Sequence, residues 1–166
     1  MSFIDELKDI QKNSSYIEDS QITYHHIIEL WKNRIEQFSV AKHQLIKSNL
    51  KKEVERGNIK KHFLKKPYVE TKIFWGGRSF ANESKAILED ILQENPIYRE
   101  AFEQVMRMNK NKKRKNTNID FNNDICICNR ILELCNLDGI QAEYTSENDI
   151  DYGYNKYTII AKIILK

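Results

Sequence analysis

The closing segment of the chain, Tyr157 to Leu165, constrains the fold more than any other stretch. Tyr157, Ile159, Ala161, Ile163 and Leu165 alternate with Thr158, Ile160, Lys162 and Ile164, the period-2 pattern of a β-strand. One face of this strand is wholly apolar and the other is mixed. Edge strands usually carry charge that deters pairing, so a strand with so little polar surface is expected inside a sheet, with a neighbour on each side.

One neighbour lies just upstream. Ile140, Ala142 and Tyr144 alternate with Gln141, Glu143 and Thr145, which predicts a strand with one wet face. Between the two strands, Ser146 to Asn155 contains Glu147, Asp149, Asp151 and Gly153 and reads as a long acidic turn. A helix precedes them, with Ile125, Cys128, Ile131, Leu132 and Cys135 on its apolar face. Asn122, Asn123 or Asp124 can cap its start, and Asn136 can end it with Leu137 folding back on the last turn. The second neighbour is expected from the middle of the chain. After Pro67, the strand formers Tyr68, Val69, Thr71, Ile73, Phe74 and Trp75 run up to Gly76 and Gly77, and proline suits the first position of a strand.

The remainder reads as helices. Phe3, Leu7 and Ile10 predict a short amphipathic helix ending near Lys12, followed by a polar, loop-like stretch over residues 13–20. A longer helix opens near Thr23, carries Ile27, Leu30, Trp31, Ile35, Phe38 and Leu45 at helical spacing, and stops at Gly57-Asn58. Asn82 or Ser84 caps a helix through Ile87, Ile91 and Leu92, Pro96 breaks it, and Ile97, Phe102 and Val105 mark another. Residues 109–118 hold no apolar side chain and read as a basic linker or loop. The expected architecture is α+β, a small, mainly antiparallel sheet of about three strands with four to six helices and a long N-terminal helix. The expected organisation is a single domain over residues 1–166, whose residues 1–57 form a helical N-terminal part.

Apolar residues at 40% and charged residues at 31% fit a folded chain with a heavily charged surface. No apolar run reaches the length of a membrane span and no signal sequence opens the chain, so no membrane partner and a cytoplasmic location are expected. The three cysteines fall between Cys126 and Cys135 and read as buried thiols in a reducing compartment. Their spacing is not that of a zinc site, and His25, His26, His43 and His62 are remote in sequence, so neither metal nor cofactor is expected. Trp75-Gly76-Gly77-Arg78-Ser79 lacks the ending of a phosphate-binding loop and reads as a turn.

Charge is blocked along the chain. Residues 42–72 hold ten basic side chains against three acidic, and residues 105–118 hold six basic and none acidic. Lys51, Lys52, Lys60, Lys61, Lys65 and Lys66 in the first block, with Arg107, Lys110, Lys112, Lys113, Arg114 and Lys115 in the second, are the candidate contacts to a nucleic-acid backbone. A charge run in a loop is often simply solvated, and aromatics interleave weakly here, through Phe63 and Tyr68. A different surface is offered by the acidic turn. Glu147, Asp149 and Asp151 with Tyr152 and Tyr154 are candidate contacts to a basic protein partner, tyrosine being enriched at interfaces. No catalytic group is nominated from motif order.

Glu70-x-Lys72 on a predicted strand resembles the metal-dependent nucleases of the PD-(D/E)xK type, which need both side chains on one face. That resemblance covers three residues, and no aspartate occurs between Asp19 and Asp90 to supply the preceding acid. In its succession of elements the chain resembles the small accessory proteins of phages and mobile elements from low-GC bacteria: an amphipathic N-terminal helix with a Gly-Asn stop, a strand, a helix, Leu-Asp-Gly-Ile and two closing strands. This resemblance implies an inhibitor or modulator of a host protein rather than a metabolic enzyme. The leading expectation is a non-catalytic binding or regulatory protein acting through the acidic, Tyr-rich hairpin. The alternatives are nucleic-acid binding through the basic blocks and a nuclease around Glu70 and Lys72. A homodimer is a further expectation, from Trp31 and Phe38 on the apolar face of the long helix.

Overall fold

The protein's structure, a computed structural model, describes residues 2–61, 66–76, 82–112, 119–149 and 154–165. The elements run α1 (Phe3–Glu55), β1 (Lys60–Lys61), β2 (Pro67–Gly76), α2 (Glu83–Glu94), α3 (Pro96–Lys112), α4 (Ile125–Leu137), β3 (Gln141–Asp149) and β4 (Tyr154–Ile164). The chain forms two compact units, Met1–Asn33 with Ile87–Asp120, and Arg34–Ala86 with Phe121–Lys166.

The expected break over residues 13–20 does not occur, because α1 is one helix of 53 residues. Neither glycine nor proline occurs within it, so Asn13, Ser14 and Ser15 cost only tenths of a kcal/mol each, roughly, relative to better helix formers. Ile10, Ile17 and Tyr24, spaced by seven, carry a helical stripe straight through the polar stretch. The predicted loop over 109–118 is likewise helical as far as Lys112.

In the first unit, Ile27, Ile28 and Trp31 of α1 and Ile91, Leu92, Ala101 and Val105 of α2 and α3 are buried. Tyr24 and Phe102 place their ring centroids 5.9 Å apart, and the Tyr16 hydroxyl donates to Glu100 at 2.8 Å. Pro96 opens α3, where its missing N–H costs nothing, and Asn95 Oδ1 accepts from Ile97 N–H at 3.0 Å.

The second unit holds a four-stranded antiparallel sheet in the order β1-β2-β4-β3. The closing strand is central, and its partner from the middle of the chain is β2, paired from Tyr68↔Ile164 to Gly76↔Lys156. The sheet has four strands rather than three because Lys60 and Lys61 add a two-residue edge. The turn between β3 and β4 is shorter than expected, since β3 extends to Asp149 and β4 begins at Tyr154. One sheet face carries Val69, Ile73 and Trp75 of β2 with Tyr157, Ile159 and Ala161 of β4, all buried. Over this inner face lie α4 and the second half of α1, whose Phe38 ring centroid is 5.9 Å from that of Trp75. Ile46 and Leu50 of α1 and Ile127, Cys128, Ile131 and Cys135 of α4 complete the core.

Two details of α4 depart from expectation. Ile127 rather than Ile125 is the first core residue, Ile125 being 43% exposed. The left-handed residue is Gly139, at φ 72°, not Asn136, so the helix runs one residue further and Leu137 is left 79% exposed. Ile140 N–H then donates to Cys135 O at 2.9 Å, closing the helix end onto β3.

A candidate docking surface on the outer sheet face

The inner face is organised around Asp124, which is fully buried. Its carboxylate accepts from Trp75 Nε1 at 2.9 Å, Glu83 N–H at 3.0 Å and Ser84 N–H at 2.8 Å. Its own N–H donates to the Tyr157 hydroxyl at 3.0 Å, and the rings of Trp75 and Tyr157 stack at 5.8 Å. Asp124 was a candidate cap for α4, but its side chain serves the free N–H groups at the start of α2, where a negative charge is stabilised. Every polar atom of this cluster has a partner, which makes it a structural anchor. Nearby, burial first and the Asp124 charge second push the Cys128 thiol up to about 12. Burial likewise raises the Cys135 thiol to about 11, so both are protonated, core-filling groups. Cys126, expected to be buried with the other two, is instead exposed as a residue, with Sγ 3.8 Å from Ser84 Oγ.

Two ion pairs join the helices over the inner face. Arg130 of α4 grips Glu36 of α1 through two bonds of 2.8 Å, and that guanidinium holds the Glu36 carboxyl below its ordinary range. Beyond the end of α4, Asp138 Oδ2 lies 2.8 Å from His43 Nε2 and 3.5 Å from Lys47 Nζ. An apolar groove of about 390 Å³ opens beside it, between Leu50 and Val54 of α1 and Ile163 of β4, with Lys51 at its rim.

The outer sheet face is built differently. Strand alternation brings Tyr68, Glu70, Lys72 and Phe74 of β2 to it, together with Lys156, Thr158, Ile160, Lys162 and Ile164 of β4 and Glu143, Thr145 and Glu147 of β3. Among the described residues of this unit no helix covers it. Phe74 is 60% and Ile164 43% exposed, Phe74 on a stretch of β2 that β1 does not reach and Ile164 beyond the pairing of β4 with β3. Lysines lean over the aromatic rings, Lys156 Nζ at 4.6 Å from the Phe74 centroid and Lys162 Nζ at 5.7 Å from that of Tyr68, each a cation–π contact. Lys72, Ile160 and Glu143 stand abreast across the three strands, as do Gly76, Lys156 and Glu147. The result is an apolar strip with lysines on its β2 side and glutamates on its β3 side.

The residues picked from sequence are distributed as follows. Glu147 is exposed on this face, and Asp149 and Tyr154 end the paired part of the hairpin, whereas Asp151 and Tyr152 lie outside the described residues. Lys60 lies beside the face, its Nζ 4.0 Å from Glu70, and Lys61 and Lys66 are exposed near it. Lys51 and Lys52 are on the last turns of α1 and Arg107, Lys110 and Lys112 on α3, so the two basic blocks fall in different units. Lys65, Lys113, Arg114 and Lys115 lie outside the described residues. Glu70 and Lys72 do share one face, but among the described residues no group of three histidine, cysteine or acidic side chains could hold a metal ion. No helix among them is long and apolar enough to cross a membrane. The sequence reading missed Phe74, Lys156, Ile160, Lys162 and Ile164 as surface residues. The signal available was the mixed second face of the closing strand.

No family model, curated protein or solved structure matches the chain. The class it defines rests on its own fold, an α+β protein with one sheet face under helices and the other uncovered by any helix among the described residues of its unit.

Proposed function

We propose that this chain is a non-catalytic protein-binding module whose docking surface is the outer face of the sheet. The observation that carries the reading is the exposure of Phe74 and Ile164 on the same sheet face as the lysines and glutamates. Large apolar groups rimmed by charge on an otherwise polar surface are characteristic of protein contacts. The acidic hairpin picked out in the sequence reaches this surface through Glu147, and Glu143 of β3 continues its margin along the strand. A regulatory or inhibitory role, implied by the resemblance to phage accessory proteins, requires a surface of this kind.

A photo-reactive amino acid at position 74, with a second at the still more exposed Leu137 at the end of α4 as control, tests the reading in cells. Protein adducts at position 74 and not at 137 are the expected result. Adducts sensitive to nuclease, or none at 74, sink the reading and return the lysine-over-ring pairs to nucleic-acid binding, where bases stack on aromatic side chains.

A further inference from the structure

We infer that the partner seated on the outer sheet face is a second copy of this chain, related by a twofold axis running along β4. This rests on the protein-binding reading above and names the partner of that same surface.

Charge complementarity points to this occupant. On this face β4 divides a lysine-bearing side from a glutamate-bearing side. Toward β2 lie Lys72 and the ammonium groups of Lys156 and Lys162, which lean across to Phe74 and Tyr68. The only acid on that side among the described residues, Glu70, is held by Lys60 at 4.0 Å. Toward β3 lie Glu143 and Glu147, both exposed. A self-complementary dimer interface presents the same patch on both copies, and the axis decides which strands face each other. An axis across the strands sets β3 on β3 and opposes glutamate to glutamate. An axis along β4 exchanges the two sides, so that each β3 lies over the other copy's β2.

The register then matches row by row. Lys72 and Glu143 occupy one row of the sheet, as do Lys156 and Glu147, and rotation about β4 preserves the row. Glu143 of each copy therefore meets Lys72 of the other, and Glu147 meets Lys156. Ile160 and Ile164, on the axis, meet their own counterparts, and Phe74 lies against the Thr145 side chain of the other copy. The lean of Lys156 and Lys162 toward β2 carries their charges off the axis, where they would otherwise oppose themselves. Two sheets stacked in this way lie about 10 Å apart, with strands within roughly 30° of each other. The face measures roughly 15 by 30 Å from strand spacing and rise. That places the dimer at the small end of specific interfaces, with concentration-dependent association expected.

The test is sedimentation equilibrium of the full chain from roughly 1 to roughly 500 µM, a range suited to a small interface. Two charge-reversed forms accompany the wild type, Glu143→Lys with Glu147→Lys, and Lys72→Glu with Lys156→Glu. The wild type should pass from the 19.8 kDa of one chain toward twice that mass. Each reversed form alone should stay monomeric, and an equimolar mixture of the two should recover dimer. Phe74→Glu, at a position outside the core, should weaken association by at least about tenfold while leaving the circular dichroism spectrum unchanged. A wild type that remains monomeric throughout overturns the second-copy inference. The adducts at position 74 then judge the broader reading separately, since a foreign protein there leaves it standing and nucleic acid removes both. A dimer indifferent to Phe74→Glu and to the charge reversals associates elsewhere and equally overturns the inference.

Discussion

The two faces of the sheet are built from the same three long strands, residue by residue in alternation, yet they have different chemistry. On the inner face Ile159 is 0% exposed and Trp75 7%, and their polar neighbours converge on a single carboxylate. On the outer face the equally apolar Phe74 and Ile164 remain largely in water, and the polar neighbours are spread as separated charges. A face that stabilises its own fold hides its apolar groups and satisfies its polar ones. A face kept for another molecule leaves both available. The contrast is what supports the docking role proposed for the outer face, and mutations should divide along the same line.

The largest effect is expected at Asp124. Asp124→Ala strands the Trp75 indole N–H and the first N–H groups of α2 without acceptors, and each buried unsatisfied donor costs about 1–3 kcal/mol. A loss of roughly 3–5 kcal/mol in urea unfolding is predicted, large against the marginal stability of a domain. A loss below about 1 kcal/mol would mean that the inner face does not depend on its carboxylate, and the contrast would be weaker than drawn.

The adjacent pair Ile159 and Ile160 puts the comparison on consecutive residues. Ile159→Ala opens a cavity at a fully buried position and should cost roughly 2–5 kcal/mol. Ile160→Ala, half-buried on the outer face, should cost at most about 1 kcal/mol in the monomer. Equal costs would show that something already covers the outer face.

This division was only half visible in the sequence. Alternation placed β4 in the interior of the sheet, because a period of two assigns each side chain to a face without further information, and the run of strand formers after Pro67 named β2 as its partner. The same alternation put Ile160, Lys162 and Ile164 on a mixed face, but which charges stand beside them depends on register. Register brings Glu143 of β3 and Lys72 of β2 level with Ile160, pairings that span from 17 to 88 residues of chain. The role of Asp124 was hidden for the same reason, since the N–H groups it caps are some forty residues upstream. The continuity of α1 was missed because Asn13, Ser14 and Ser15 look like a loop until the stripe through Ile10, Ile17 and Tyr24 is weighed against them. The acidic turn was legible as composition, but Asp151 and Tyr152 fall outside the described residues, and Glu147 acquires its meaning from its row in the sheet.

The smallest effect concerns the helices over the inner face and sharpens the comparison through pH. Glu36 is paired with Arg130 by two 2.8 Å bonds, and the guanidinium lowers its carboxyl below the ordinary carboxylate range. A carboxyl whose folded-state value is depressed binds its proton more readily when unfolded. The stability it contributes is therefore complete above the ordinary carboxylate range and disappears as pH falls through the depressed value. Both side chains are more than a third exposed, so solvent screening reduces the contribution to that of a surface pair. Glu36→Gln should lower the melting temperature by no more than a few degrees at pH 7. The difference from wild type should shrink on acidification below the ordinary carboxylate range and also in high salt. Charge reversal at Glu143 and Glu147 on the outer face should leave the monomer's melting temperature nearly untouched at either pH while abolishing association. A pH-dependent loss of monomer stability there, larger than that at Glu36, would place the outer glutamates among the groups that hold the fold together and erase the distinction between the two faces.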